Sequence, residues 1–187
     1  MKQLLLLIFF QAGWFACVLG GANNLPWLGP VVMALFLTLL FRSLSLSFSV
    51  LWRIALLGMI GSSVDGVLSL LGVFHFPGAI SNWSPPYLVA LWIGFVANFE
   101  GPLSWLRQRY LLACVLGAFA GPLNYMAGMK FGAVSFGFSL STSVLILAIE
   151  WALLLPTLLM LHQRMTGGTK VFRSPRAVIT VSGSQVE

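Results

Sequence analysis

Six long apolar stretches, separated by short polar or turn-rich ones, set the rhythm of this chain. Within each stretch the apolar residues run continuously, as in "LLLLIFF" (4–10). They predict helices near residues 3–21, 25–41, 52–74, 86–105, 110–128 and 142–163. Each stretch approaches the roughly 20 helical residues that cross a hydrocarbon core. None shows the residue-by-residue alternation of a transmembrane strand. The expected fold is therefore all-α: an integral membrane bundle of about six transmembrane helices. Connections are short except 75–86 and 129–141, the second reading as a loop or a short re-entrant piece. The opening "MKQLLLLIFFQAGWFACVLGGA" imitates a signal peptide, but the next apolar stretch follows so soon that the two read as a transmembrane hairpin. From Thr166 the hydrophobic pattern stops. This divides the chain into a transmembrane domain, 1–165, and a flexible cytoplasmic tail, 166–187.

Composition fixes the solvent. Of the 187 residues 59% are hydrophobic and 7% charged, with a mean hydropathy of +0.97. Soluble domains carry roughly 25% charged residues, so this chain has too little polar surface for water. The net charge of +6 is not a nucleic-acid signature, because the basic residues sit between the stretches and in the tail. With the N-terminus inside, Lys2, Arg42, Arg53, Arg107, Arg109, Arg164, Lys170, Arg173 and Arg176 fall on the cytoplasmic side and Lys130 on the outer side. That asymmetry places both termini in the cytoplasm.

Three of the four carboxylates, Asp65, Glu100 and Glu150, lie inside the apolar stretches; Glu187 ends the tail. A carboxylate at the centre of a membrane helix costs a few kcal/mol, so such residues face protein or water. At about 1.5 Å per residue, Asp65 and Glu150 both sit roughly 12–14 Å below the outer surface, and Gln11 roughly 15 Å. Asn124 is shallower. These four are the candidate substrate-binding or proton-coupling residues. Small residues recur every three or four positions beside them, as in Gly58, Ser62, Asp65, Ser69 and Gly72, or Ala113, Gly117, Gly121, Asn124 and Gly128. Such stripes let helices approach closely and turn the acids toward protein. Two readings of Asp65 and Glu150 stand level: a functional pair, or hydrogen-bonding groups that merely tie helices together. Glu100 lies deeper, near the cytoplasmic arginines, and reads as a structural ion-pair candidate with Arg53 or Arg107.

Gly-Pro occurs twice in these stretches, in "FEGPLSW" (99–105) and "FAGPLNY" (119–125). Pro102 lies where a helix exit is expected. Pro122 falls well inside the fifth stretch, where it removes an N–H and disturbs the Ala118 carbonyl. With Gly121 beside it, it predicts a kinked or broken helix, a device that builds midplane sites in several transporters.

Recognisable chemistry is absent. His75 and His162 fall on opposite sides of the membrane, where interfacial positions account for them. "GSSVDG" (61–66) has serines near an aspartate but no histidine at that depth. No HExxH, P-loop or GxSxG motif occurs. Cys17 and Cys114 read as small apolar residues. The sequence thus implies no catalytic residue, no metal and no cofactor.

The pieces "QAGWFACVLG" (11–20), Asp65, "LW" (91–92), "GAFAGPLNYMAGMKFGA" (117–133) and "EWALLLP" (150–156) resemble a family of bacterial inner-membrane proteins classified only as a domain of unknown function. The resemblance covers residues 1–165. It implies a location in the cytoplasmic membrane and carries over no functional residue. The function expected from all this is a small binding or transport module for a lipid or small amphiphile, proton-coupled through Asp65 and Glu150. The alternative is a non-catalytic membrane partner of a lipid-modifying complex. The partners implied are membrane lipids and, in the alternative, a membrane protein.

Overall fold

A computed structural model describes residues 2–77 and 83–166, so the tail expected at 166–187 lies, beyond Thr166, outside the described residues. The described residues form six α-helices: α1 (Lys2–Ala22), α2 (Leu28–Leu44), α3 (Phe48–Leu70), α4 (Pro86–Ala97), α5 (Tyr110–Lys130) and α6 (Leu140–Met165). Two short strands, β1 (Phe74–His75) and β2 (Ser135–Phe136), pair antiparallel. Four helices, α1, α3, α5 and α6, are long and apolar enough to cross a membrane. With leucines and phenylalanines exposed along them, they make this a membrane-embedded, all-α protein.

Close approach of backbones organises the bundle. On α5, Gly117 lies against the Trp151 carbonyl of α6, and Gly121 against the Trp151 indole. On α3, Gly58 meets the backbone of Ile93, and Gly61 receives the indole of Trp92. Small residues thus replace the hydrophobic drive that lipid cannot supply between helices. α4 is the most enclosed element, packed against α1, α2 and α3, with Trp92, Val96 and Ala97 buried. Local chemistry sets the ends. Ser45 adopts a left-handed conformation (φ 51°, ψ 43°) and turns the chain tightly from α2 into α3. Ser139 caps α6, its hydroxyl accepting from the Thr142 N–H at 3.3 Å. That turn at Ser45 also explains why α2 ends later than residue 41 and α3 starts earlier than residue 52.

Three expectations are corrected. The fourth helix, expected over 86–105, ends at Ala97 and continues as 3-10 turns at Asn98–Glu100 and Ser104–Leu106. Arg107 stabilises this irregular stretch by donating through Nε to the Phe99 carbonyl at 3.0 Å. The break expected at Gly121 and Pro122 is absent: α5 runs as one helix from Tyr110 to Lys130 with Pro122 inside it. Proline removes a single N–H, and the rest of the ladder is held by the tight seam with α6. Segment 129–141 is no re-entrant helix. Its helical residues end α5 at Lys130 and begin α6 at Leu140, and β2 between them pairs with β1.

The end opposite the β-pair gathers charge. The Glu100 carboxylate accepts from Arg107 Nη2 at 2.8 Å and from His162 Nε2 at 2.9 Å, with His162 fully buried. Arg53 donates instead to the Met165 carbonyl at 3.3 Å, so it is not the partner of Glu100. His162, expected at headgroup level, lies under Phe99 in an edge-to-face contact with centroids 5.8 Å apart. This cluster pins the end of α6 to the turn between α4 and α5. Glu100→Gln is expected to lower stability by about 1–3 kcal/mol, less than a fully buried pair because Arg107 is partly exposed. Thermal unfolding in detergent measures it, and an unchanged melting temperature would show that the cluster does not hold these elements together.

Candidate functional site

Toward the β-pair end, a cavity of about 180 Å³ is lined by residues of α1 and α5, with α4 behind them. Phe10, Gln11, Trp14 and Val18 line it from α1, and Asn124, Tyr125 and Gly128 from α5. α4 supplies the back wall, including Leu91, Trp92 and Phe95, and Ala133 and Val134 close the end nearest β2. Half of the sixteen lining residues are aromatic, and none is charged. Gln11 and Asn124 are exposed and sit on the two helices that flank the opening. The Asn124 amide donates to the Ala120 carbonyl at 2.8 Å, one turn back along α5, which leaves its oxygen free of that bond.

Asp65 and Glu150 do not line this cavity. They lie one shell behind it. Asp65 is 0% exposed, and its Oδ2 accepts a hydrogen bond from Trp92 Nε1 on the cavity wall. Trp92 in turn stacks on Trp151 with centroids 5.0 Å apart and planes 18° apart. Tyr125, also on the wall, is a buried neighbour whose hydroxyl interacts electrostatically with both acids. Asp65 and Glu150 interact directly with each other. The polar candidates therefore form two tiers: Gln11 and Asn124 at the opening, Asp65 and Glu150 behind a wall of Trp92, Tyr125 and Trp151.

The inner tier is short of hydrogen bonds. Asp65 Oδ1, both Glu150 carboxyl oxygens, the Tyr125 hydroxyl and Trp151 Nε1 are buried with no protein partner of good geometry. Native interiors leave few such groups, and those they leave mark a bound water, ion or functional site. Among the described residues every ion pair involves Glu100, so no basic side chain neutralises Asp65 or Glu150. Nor, among them, do three or more His, Cys, Asp or Glu side chains converge to hold a metal ion.

The sequence pattern did not single out Trp92, Tyr125 and Trp151. Tyr125 lies four residues after Gly121, on the same small-residue face of α5 as Gly117 and Gly128, so its inward direction was readable. Trp151 adjoins Glu150, and nothing short of the packing shows that its ring fills the space left by Gly121 while its carbonyl lies against Gly117.

These observations define a membrane-embedded helical protein with an aromatic cavity that has polar amides on two of its helices and buried carboxyls behind its wall. The chain belongs to the family described as "protein of unknown function (DUF2878)", whose model matches residues 3–157. No curated protein and no solved structure matches the chain.

Proposed function

We propose that this protein is a small binding or transport module for an amphiphile, which it admits sideways from the bilayer between α1 and α5. The observation that carries the reading is the aromatic cavity lined by these two helices, each of which adds an exposed amide, Gln11 or Asn124. Its volume of about 180 Å³ is below the ~300–1,000 Å³ of pockets that enclose a drug-sized ligand. It suits one part of an amphiphile, with the remainder left among lipid. Asp65 and Glu150 are the proton-linked element of this reading. Two neighbouring buried carboxyls with no cation against them among the described residues are the groups through which such a link would run.

The topology we infer is six membrane passes with both termini in the cytoplasm of a bacterial inner membrane. α2 and the short α4 count as passes because tight turns return the chain, and because irregular backbone at membrane depth is tolerated where protein covers it, as at residues 98–106. Supporting the orientation, Lys2, Arg42, Arg53, Arg107, Arg109 and Arg164 belong to the helix ends away from the β-pair, and Lys130 to the end beside it.

Native mass spectrometry of protein extracted with its surrounding lipid tests the function. Wild type is expected to retain a stoichiometric small amphiphile, and a folded Leu91→Trp variant, whose indole fills the cavity, to lose it. A protein partner retained equally by both, with no small molecule, would replace this reading with the assembly role.

A further inference from the structure

We propose that the group entering the cavity is a cation: the amine or quaternary ammonium head of an amphiphile. The inference rests on the binding reading above and names the chemical class of its occupant.

Three observations converge on positive charge. First, the walls are aromatic, and the electron-rich faces of such rings attract ammonium groups, most strongly where water is excluded. Second, no Lys, Arg or His lines the cavity, so nothing there would recognise a phosphate, sulfate or carboxylate. The cationic side chains of the described residues belong instead to the far end of the bundle, apart from Lys130 and His75 near the β-pair. Third, behind Trp92 and Tyr125 lie two carboxyl groups, of which Asp65 Oδ1 and both Glu150 oxygens have no protein hydrogen bond of good geometry, Tyr125 being the neighbour of Asp65 on the wall side. A cation in the cavity supplies the counter-charge that the inner tier lacks. A neutral alcohol could bond to the amides of Gln11 and Asn124 but would leave the acids as they are. An anion would find no basic side chain in the cavity and would face the carboxyls of the inner tier.

The small volume fits this assignment. A compact ammonium head enters, and its alkyl chain passes out between α1 and α5 beside Gln11 and Asn124, where lipid receives it. The wall tryptophans are then natural reporters, since Trp92, Trp151 and Trp14 all border the occupant.

The test uses full-length protein in an uncharged maltoside detergent. Three amphiphiles of equal chain length are compared by native mass spectrometry and tryptophan fluorescence: dodecyltrimethylammonium, dodecanol and dodecanoate. Wild type is expected to bind the ammonium at least about tenfold more tightly than the alcohol, with dodecanoate weakest. Glu150→Gln, Asp65→Asn and their combination, each checked for an unchanged melting transition, should reduce that preference to within about twofold. Leu91→Trp, or Val18→Phe if the first does not fold, should abolish binding of all three. If dodecanol binds as well as the ammonium and Leu91→Trp still blocks it, the cation assignment is wrong and the amphiphile cavity stands. If the preference survives in folded acid variants, the carboxyls are not its source and the inference fails. If wild type binds none of the three, both the assignment and the cavity reading fall.

Discussion

Gly117→Leu should be among the most damaging single changes in the bundle, leaving little folded protein in detergent. A side chain at this position meets the Trp151 carbonyl, which is backbone and cannot rotate away. The whole of α6 would have to move, taking with it the Trp92–Trp151 stack and the wall of the cavity. Overpacking a core costs about 1–3 kcal/mol when side chains can adjust, and here the obstacle is rigid, so the loss is expected at about 3 kcal/mol or more. Phe119→Ala is the control on the same helix. Phe119 is 70% exposed on the outward face, and its truncation should change stability by no more than about 0.5 kcal/mol. Equal melting temperatures for the two variants would show that α5 and α6 are not seated on each other in this way.

That contrast indicates how much the sequence carries and where it stops. Continuous apolar stretches and small-residue stripes locate the helices, and they do so because lipid leaves few alternatives to a hydrogen-bonded helix. Where a helix stops is a weaker signal. Ala97 ends α4 because Gly101, Pro102 and the reach of Arg107 to Phe99 favour 3-10 turns, whereas hydrophobicity alone runs on to Trp105. Pro122 shows the opposite error. Its local cost argues for a break, and the tertiary seam built by Gly117 and Gly121 outweighs it. Estimating depth from helix ends places Asp65 and Glu150 in one zone, and the structure makes them interacting neighbours. The same estimate cannot tell a residue that lines a cavity from one that lies behind its wall. That distinction depends on which way Trp92 and Trp151 turn, and their direction is set by glycines on other helices, Gly61 on α3 and Gly121 on α5.

Whether Asp65 serves the cavity or only ties α3 to α4 is decided by its bond to Trp92. Trp92→Phe keeps an aromatic ring in the wall but removes the Nε1 donor to Asp65 Oδ2. Because Oδ1 has no protein donor of good geometry, the carboxyl is then left with only its neighbour Tyr125. Leaving such a group unsatisfied costs about 1–3 kcal/mol, more than the ~0.6 kcal/mol average of an interhelical hydrogen bond that membrane helices can replace. Trp92→Phe is therefore expected to destabilise the protein by about 1–3 kcal/mol. Adding Asp65→Leu should restore most of that loss, because neither partner then remains. A double-mutant cycle on thermal unfolding gives the coupling between the two residues. Ligand retention is the second readout, and it separates the two roles. If Asp65 acts on the cavity, Trp92→Phe/Asp65→Leu regains stability without regaining the amphiphile, since the carboxyl behind the wall is gone. If the carboxyl is only a tie between helices, the stabilised double variant should bind as wild type does, and the inner tier would have no part in binding.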